Sequence, residues 1–92
     1  MIEKELKMIS ECGLHARPSS VIAAKLEKMS LNIAEMHYNG IKANLRSVME
    51  LLTIGIPHNK TALIILEGKD EEEALKVVEA VFATKEAGFK YE

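Results

Sequence analysis

His15 and Arg17 stand two residues apart, with Gly13 before them and Pro18 directly after. Imidazole is a nucleophile that can form a covalent bond to a transferred group. Guanidinium is a planar fork of donors that matches phosphate oxygens. Pro18 suggests where the pair sits. Proline suits a first helical turn, because its missing N–H would have no intrahelical acceptor there. His15 and Arg17 are therefore expected at a helix N-terminus, where unpaired N–H groups and the helix dipole attract negative charge. An imidazole attacks as the neutral ring. The positive end of a helix is a poor place for a cation and a good one for the phosphoryl group the ring would then carry. Histidine is not a preferred N-cap, so capping alone does not account for it. Gly13 gives the backbone access to tight or left-handed conformations beside the site. Two blander readings compete. His15 could be a loop residue with a local hydrogen bond, or the helix end could bind an anion without covalent chemistry.

The rest of the composition narrows the choice. The chain has 92 residues, the length of a single domain spanning 1–92. Apolar residues make up 48% and aromatic residues 4%, so the core must be aliphatic. A net charge of −2 gives no general attraction to nucleic acid. With two Phe, two Tyr and no Trp there is no base-stacking platform either. Cys12 is the single cysteine, which rules out a disulfide within the chain. Its closeness to His15 invites a catalytic pairing, but a small loop thiol is the simpler reading. No metal-ligand spacing joins it to His37 or His58. Met1-Ile2-Glu3-Lys4-Glu5 lacks the apolar core of a signal peptide, and the longest clear apolar run, Ala62 to Leu66, is far too short to span a bilayer. A cytoplasmic protein without membrane insertion is expected.

The elements that must position His15 can be read from hydrophobic periodicity. Residues 2–9 alternate, with Ile2, Leu6 and Met8 opposite Glu3, Glu5 and Lys7, as in an edge or half-buried strand. Residues 10–15 read as a loop. Ile22, Leu26 and Met29 then give a helical stripe over 16–29. Residues 33–38 form a second strand, Asn39-Gly40 a tight hairpin turn, and Ile41, Ala43 and Leu45 mark the returning strand. Ser47 with Glu50 matches a capping box for a short helix over 47–52, closed by Gly55 and Pro57. A β-rich run over 61–67 follows. Asp70 and Glu73 then open a last helix with Leu75, Val78 and Phe82 as its apolar stripe. The order strand, helix, strand, strand, helix, strand, helix predicts an α+β domain, with helices on one face of a mostly antiparallel sheet.

Gly13-Leu14-His15-Ala16-Arg17-Pro18 resembles the active-site signature of the HPr family, the histidine-containing phosphocarriers of the bacterial phosphoenolpyruvate-dependent sugar phosphotransferase system. The likeness continues in Tyr38-Asn39-Gly40, in Asn44-Leu45-Arg46-Ser47-Val48-Met49 and in Thr53-Ile54-Gly55-Ile56, and it covers nearly the whole chain. It implies an open-faced β-sandwich, a four-stranded antiparallel sheet with three helices on one face (βαββαβα). It implies that His15 accepts a phosphoryl group at Nδ1 from phosphorylated enzyme I and passes it to a sugar-specific enzyme IIA, with Arg17 stabilising the group. Such a protein is a monomeric relay without a cofactor, not a turnover enzyme.

Partner docking is then expected over the His15 loop and the first two helices. Met49 and Leu52 would be apolar contacts, with core packing as their alternative. Arg17, Lys25 and Lys28 would be charged rim groups. Arg46 and Lys42 read as solvated. The resemblance also singles out Ser47. In some family members the matching serine is phosphorylated by HPr kinase/phosphorylase, which weakens the relay and helps a catabolite-control repressor bind. Here Glu50 stands where the family commonly has glycine, so its carboxylate would face a phosphoserine. His58-Asn59-Lys60 is a second departure, expected to affect loop geometry.

Overall fold

In the computed structural model, which describes residues 1–11 and 13–84, the chain runs β1 (Ile2–Lys7), α1 (Ala16–Glu27), β2 (Ile33–Tyr38), β3 (Ile41–Asn44), α2 (Val48–Ile54), β4 (Thr61–Glu67), α3 (Glu71–Ala83). All three strand pairings are antiparallel, and the order across the sheet is β1-β4-β2-β3. The expected open-faced sandwich is what forms. α3 packs on β1 and β4, α2 sits over β3, and α1 lies between the other two helices.

Strand alternation decides which face the helices cover. Ala62, Ile64 and Leu66 of β4, Ala34 and Met36 of β2 and Ala43 of β3 are all buried on one side. Ile22 and Leu26 of α1, Leu51 of α2 and Val78, Val81 and Phe82 of α3 meet them from above. Burying a side chain such as Ile64 contributes about 1.5–3 kcal/mol. On β1 the same face holds Ile2, Lys4 and Leu6, so a lysine interrupts the apolar row. Lys4 lies at the sheet edge and escapes burial by pairing with Glu79 of α3 at 2.5 Å.

The Asn39-Gly40 turn forms with φ of 53° and 78°, both in the left-handed region that a type I′ hairpin requires. Three local expectations need correction. α1 ends at Glu27, with Lys28 as its C-cap, and Met29 lies just outside the helix. Asp70 occupies the N-cap position of α3, but its side chain does not cap the helix. It accepts the N–H of Ser30 at 2.7 Å and so ties α3 to the end of the α1 segment. Glu71 takes up a neighbouring donor, the Gly68 N–H at 3.1 Å, and that bond holds its carboxyl below the ordinary range. Arg46 is half-buried instead of solvated, donating from Nη1 to the carbonyl of Leu31 at 3.0 Å. Among the described residues no helix is long and apolar enough to cross a membrane. Cys12 lies outside the described residues.

Candidate functional site

β1 delivers the chain to the site and α1 carries it away. Met8 extends the pairing beyond β1, since its N–H donates to Lys60 at 2.9 Å and its carbonyl accepts from Asn59 at 2.7 Å. The Gly13 N–H then donates back to the Ser10 carbonyl at 3.0 Å, closing a turn. Gly13 has φ of +68°, which a residue without a Cβ adopts at no steric cost. Leu14 follows, buried, with its N–H donating to the carbonyl of Ile56 at 2.8 Å. His15 comes next.

His15 is the N-cap of α1, in extended conformation with φ −121° and ψ −168°. Its carbonyl accepts the first helical bond, from Ser19 at 3.1 Å, and its side chain makes no capping hydrogen bond. The ring is half-buried, with Nε2 inside. Pro18 is the third helical residue, and it has no N–H to offer. Helix geometry therefore leaves the N–H groups of Ala16 and Arg17 without intrahelical acceptors beside the imidazole. No acidic residue occupies this first turn, so nothing there competes with an incoming anion. Arg17 is exposed, and no ion pair engages it among the described residues. These features suit an anion on the ring, with backbone donors beside it and an exposed guanidinium two residues along the chain.

Ser47 caps α2. Its Oγ accepts the Glu50 N–H at 3.2 Å, a contact of a kind typically worth about 1 kcal/mol. The reciprocal half of the expected capping box is missing. The Ser47 N–H already donates to the Asn44 carbonyl at 3.0 Å, so the Glu50 carboxylate accepts instead from the Asn44 N–H at 2.9 Å. The helix runs two residues further than expected and ends at Gly55, whose φ of 52° is a left-handed cap.

Met49 is 76% exposed and Leu52 41%, so neither packs in the core. Ile41, at the tip of the hairpin, is 54% exposed and lines one cleft with Met49. Its exposure had no sequence signal, because the alternation of β3 placed it inward. Lys25 and Lys28 are exposed at the far end of α1, Lys28 lying roughly 16 Å along the axis from Arg17. Lys25 lines a different cleft, with Val21 and with Lys76 and Val77 of α3. The structure thus places His15 and Arg17 at one helix N-terminus, and Met49 with Leu52 on one short helix. The two lysines stand apart from both pairs.

Comparison with known proteins agrees with this geometry. The family model for the PTS HPr component phosphorylation site matches residues 2–84. Phosphocarrier protein HPr of Mycoplasma pneumoniae is 39% identical over 69 residues, which cover 75% of this chain and 78% of that protein. The crystal structure of HPr-C-His from Thermoanaerobacter tengcongensis superposes with a TM-score of 0.80 at 28% identity, over 89% of this chain and 91% of that one. For the phosphocarrier protein HPr of Bacillus anthracis the TM-score is 0.80 at 25% identity, over 88% and 95%. With its signature histidine at the mouth of α1 and its sheet and helices in the same arrangement, the chain belongs to the HPr family of the phosphotransferase system.

Proposed function

We propose that this protein carries phosphoryl groups on His15, taking each from phosphorylated enzyme I and giving it to an enzyme IIA. The observation that carries this reading is the position of His15 as N-cap of α1, with the Ala16 and Arg17 N–H groups beside it and no acidic residue in the first turn of the helix. On loading, a ring nitrogen forms a bond to phosphorus as the donor's bond breaks. Discharge reverses this toward the acceptor. Burial of Nε2 favours Nδ1 as the attacking atom. The same donors stabilise the loaded ring, but only enough that it can still be emptied.

Docking in this reading uses the exposed apolar side chains of Met49 and Leu52 on α2, with Arg17, Lys25 and Lys28 as rim charges. Stopped-flow transfer from phosphorylated enzyme I tests the role of Arg17. Arg17→Ala should slow loading by about 10–100-fold, as expected for removal of a charged donor from a transferring group. An unchanged rate would take Arg17 out of the mechanism.

A second reading adds regulation at Ser47, favoured by its place at the N-terminus of α2, where a phosphate is electrostatically welcome. Glu50 opposes it less than its sequence position suggests, because its carboxylate is occupied at the Asn44 N–H. Incubation with HPr kinase/phosphorylase and ATP should label the wild type in acid-stable form and leave Ser47→Ala unlabelled. A catabolite-control repressor should then bind the labelled form more tightly. An unlabelled wild type would remove this second function and leave the relay untouched.

A further inference from the structure

The loop that leads to His15 is fastened to a second loop more than forty residues further along the chain. Four hydrogen bonds join them. Three use backbone alone: Met8 to Lys60 at 2.9 Å, Asn59 to Met8 at 2.7 Å and Leu14 to Ile56 at 2.8 Å. The fourth runs from Nδ1 of His58 to the carbonyl oxygen of Ser10, at 3.0 Å, and it alone depends on a side chain.

A carbonyl only accepts, so Nδ1 must carry the proton. The Ser10 carbonyl also accepts the Gly13 N–H at 3.0 Å. Both of its lone pairs are therefore in use. One closes the turn that leads into Leu14 and His15, and the other is held by the opposite loop. Ser10 is fully buried, whereas the His58 residue lies at the surface. A turn presents it there. The Lys60 N–H donates to the Pro57 carbonyl at 3.2 Å, and Asn59 in third place has φ of 69°, as a type II turn requires.

We infer that His58 is a positioning residue for phosphoryl transfer at His15, acting through the Ser10 carbonyl to fix the turn that aims the imidazole. The inference rests on the carrier reading above. Transfer needs the attacking nitrogen near contact distance and in line, and small displacements of such a group are costly. The three backbone bonds to the opposite loop, with a further one from the Ile9 N–H to the Phe82 carbonyl at 2.9 Å, keep the loop folded. The His58 bond is the contact from the opposite loop that grips the carbonyl closing the turn.

Two measurements test this. Long-range proton–nitrogen spectra of the native protein near neutral pH should show His58 as the Nδ1–H tautomer. The Nε2–H tautomer would overturn the proposal. In transfer from phosphorylated enzyme I, His58→Ala should lower kcat about tenfold, with KM changed by less than about twofold. His58→Asn, whose amide nitrogen can reach the same carbonyl, should recover most of the rate. A wild-type rate in His58→Ala would overturn the positioning role, as would equal losses in the alanine and asparagine variants. If the wild type itself accepts no phosphoryl group, the carrier reading falls, and the tautomer still reports whether the clamp exists.

Discussion

His15→Ala is expected to abolish phosphoryl acceptance while leaving the protein folded. Among the described residues at the N-terminus of α1, His15 is the one imidazole, and it occupies the N-cap position beside the helix N–H donors. Arginine at position 17 stays cationic and cannot take its place. The stability effect should be small, because the His15 side chain makes no capping bond and the helix-starting contact comes from its carbonyl, which alanine keeps. The unfolding free energy should stay within about 1 kcal/mol of wild type. Radiolabel transfer from phosphoenolpyruvate through enzyme I measures the first effect, and thermal denaturation followed by circular dichroism the second. Label on the folded variant would mean that another residue carries the group.

Gly13→Ala should damage both stability and transfer. The φ of +68° costs an L-residue about 1–2 kcal/mol. A Cβ would also stand 2.4 Å from the Ile56 carbonyl oxygen, the atom that accepts the Leu14 N–H. That oxygen is backbone and cannot swing aside, so overpacking adds about 1–3 kcal/mol. In a domain this small the sum lowers Tm by about 10 °C or more. The loop that survives would no longer seat Leu14 against Ile56, and transfer should slow even at temperatures where the variant is folded. Gly40→Ala is the internal control. Its φ of +78° gives similar strain, but no atom lies within 4 Å of the added Cβ. It should cost only about 1–2 kcal/mol and leave transfer unchanged. Equal melting temperatures for the two variants would show that the Gly13–Ile56 contact is not tight.

The features legible in the sequence were those set by neighbouring residues. Asn39-Gly40 announces its turn because both residues tolerate positive φ, and the turn fixes the register of β2 on β3. Pro18 marks the start of α1 because it can sit only in a first turn. Ser47 names the start of α2 through its hydroxyl, a local bond three residues long. The partial failures have a common cause: competition from hydrogen-bonding partners outside the local motif, six, forty and fifteen residues away in the chain. The Glu50 carboxylate was expected on the Ser47 N–H and went to Asn44, because the Ser47 N–H was already taken. Asp70 was expected to cap α3 and holds Ser30 instead. Arg46 found the Leu31 carbonyl, fifteen residues back.

The site divides in the same way. The place of His15 and Arg17 at a helix N-terminus was legible because Pro18, directly after them, suits a first helical turn. The contacts that aim them were not. The Leu14–Ile56 and Ser10–His58 bonds span 42 and 48 residues and depend on how β1 lies against β4. His58 stood out in the sequence only as an unusual loop residue. The exposure of Met49 and Leu52 excludes one of the two sequence readings, core packing. Apolar side chains on a seven-residue helix fit core or docking surface equally well until the helix is seated. Leu51 and Ile54 take the inward positions of α2, which turns Met49 and Leu52 to solvent.

Incubation with phosphoenolpyruvate and enzyme I, followed by phosphorus NMR and mapping of the modified residue, tests the relay most directly. One acid-labile phosphoryl group should appear, bonded to Nδ1 of His15, and it should vanish when an enzyme IIA is added. A group on His37 or His58, an acid-stable ester, or no modification at all would contradict the assignment of His15 as carrier.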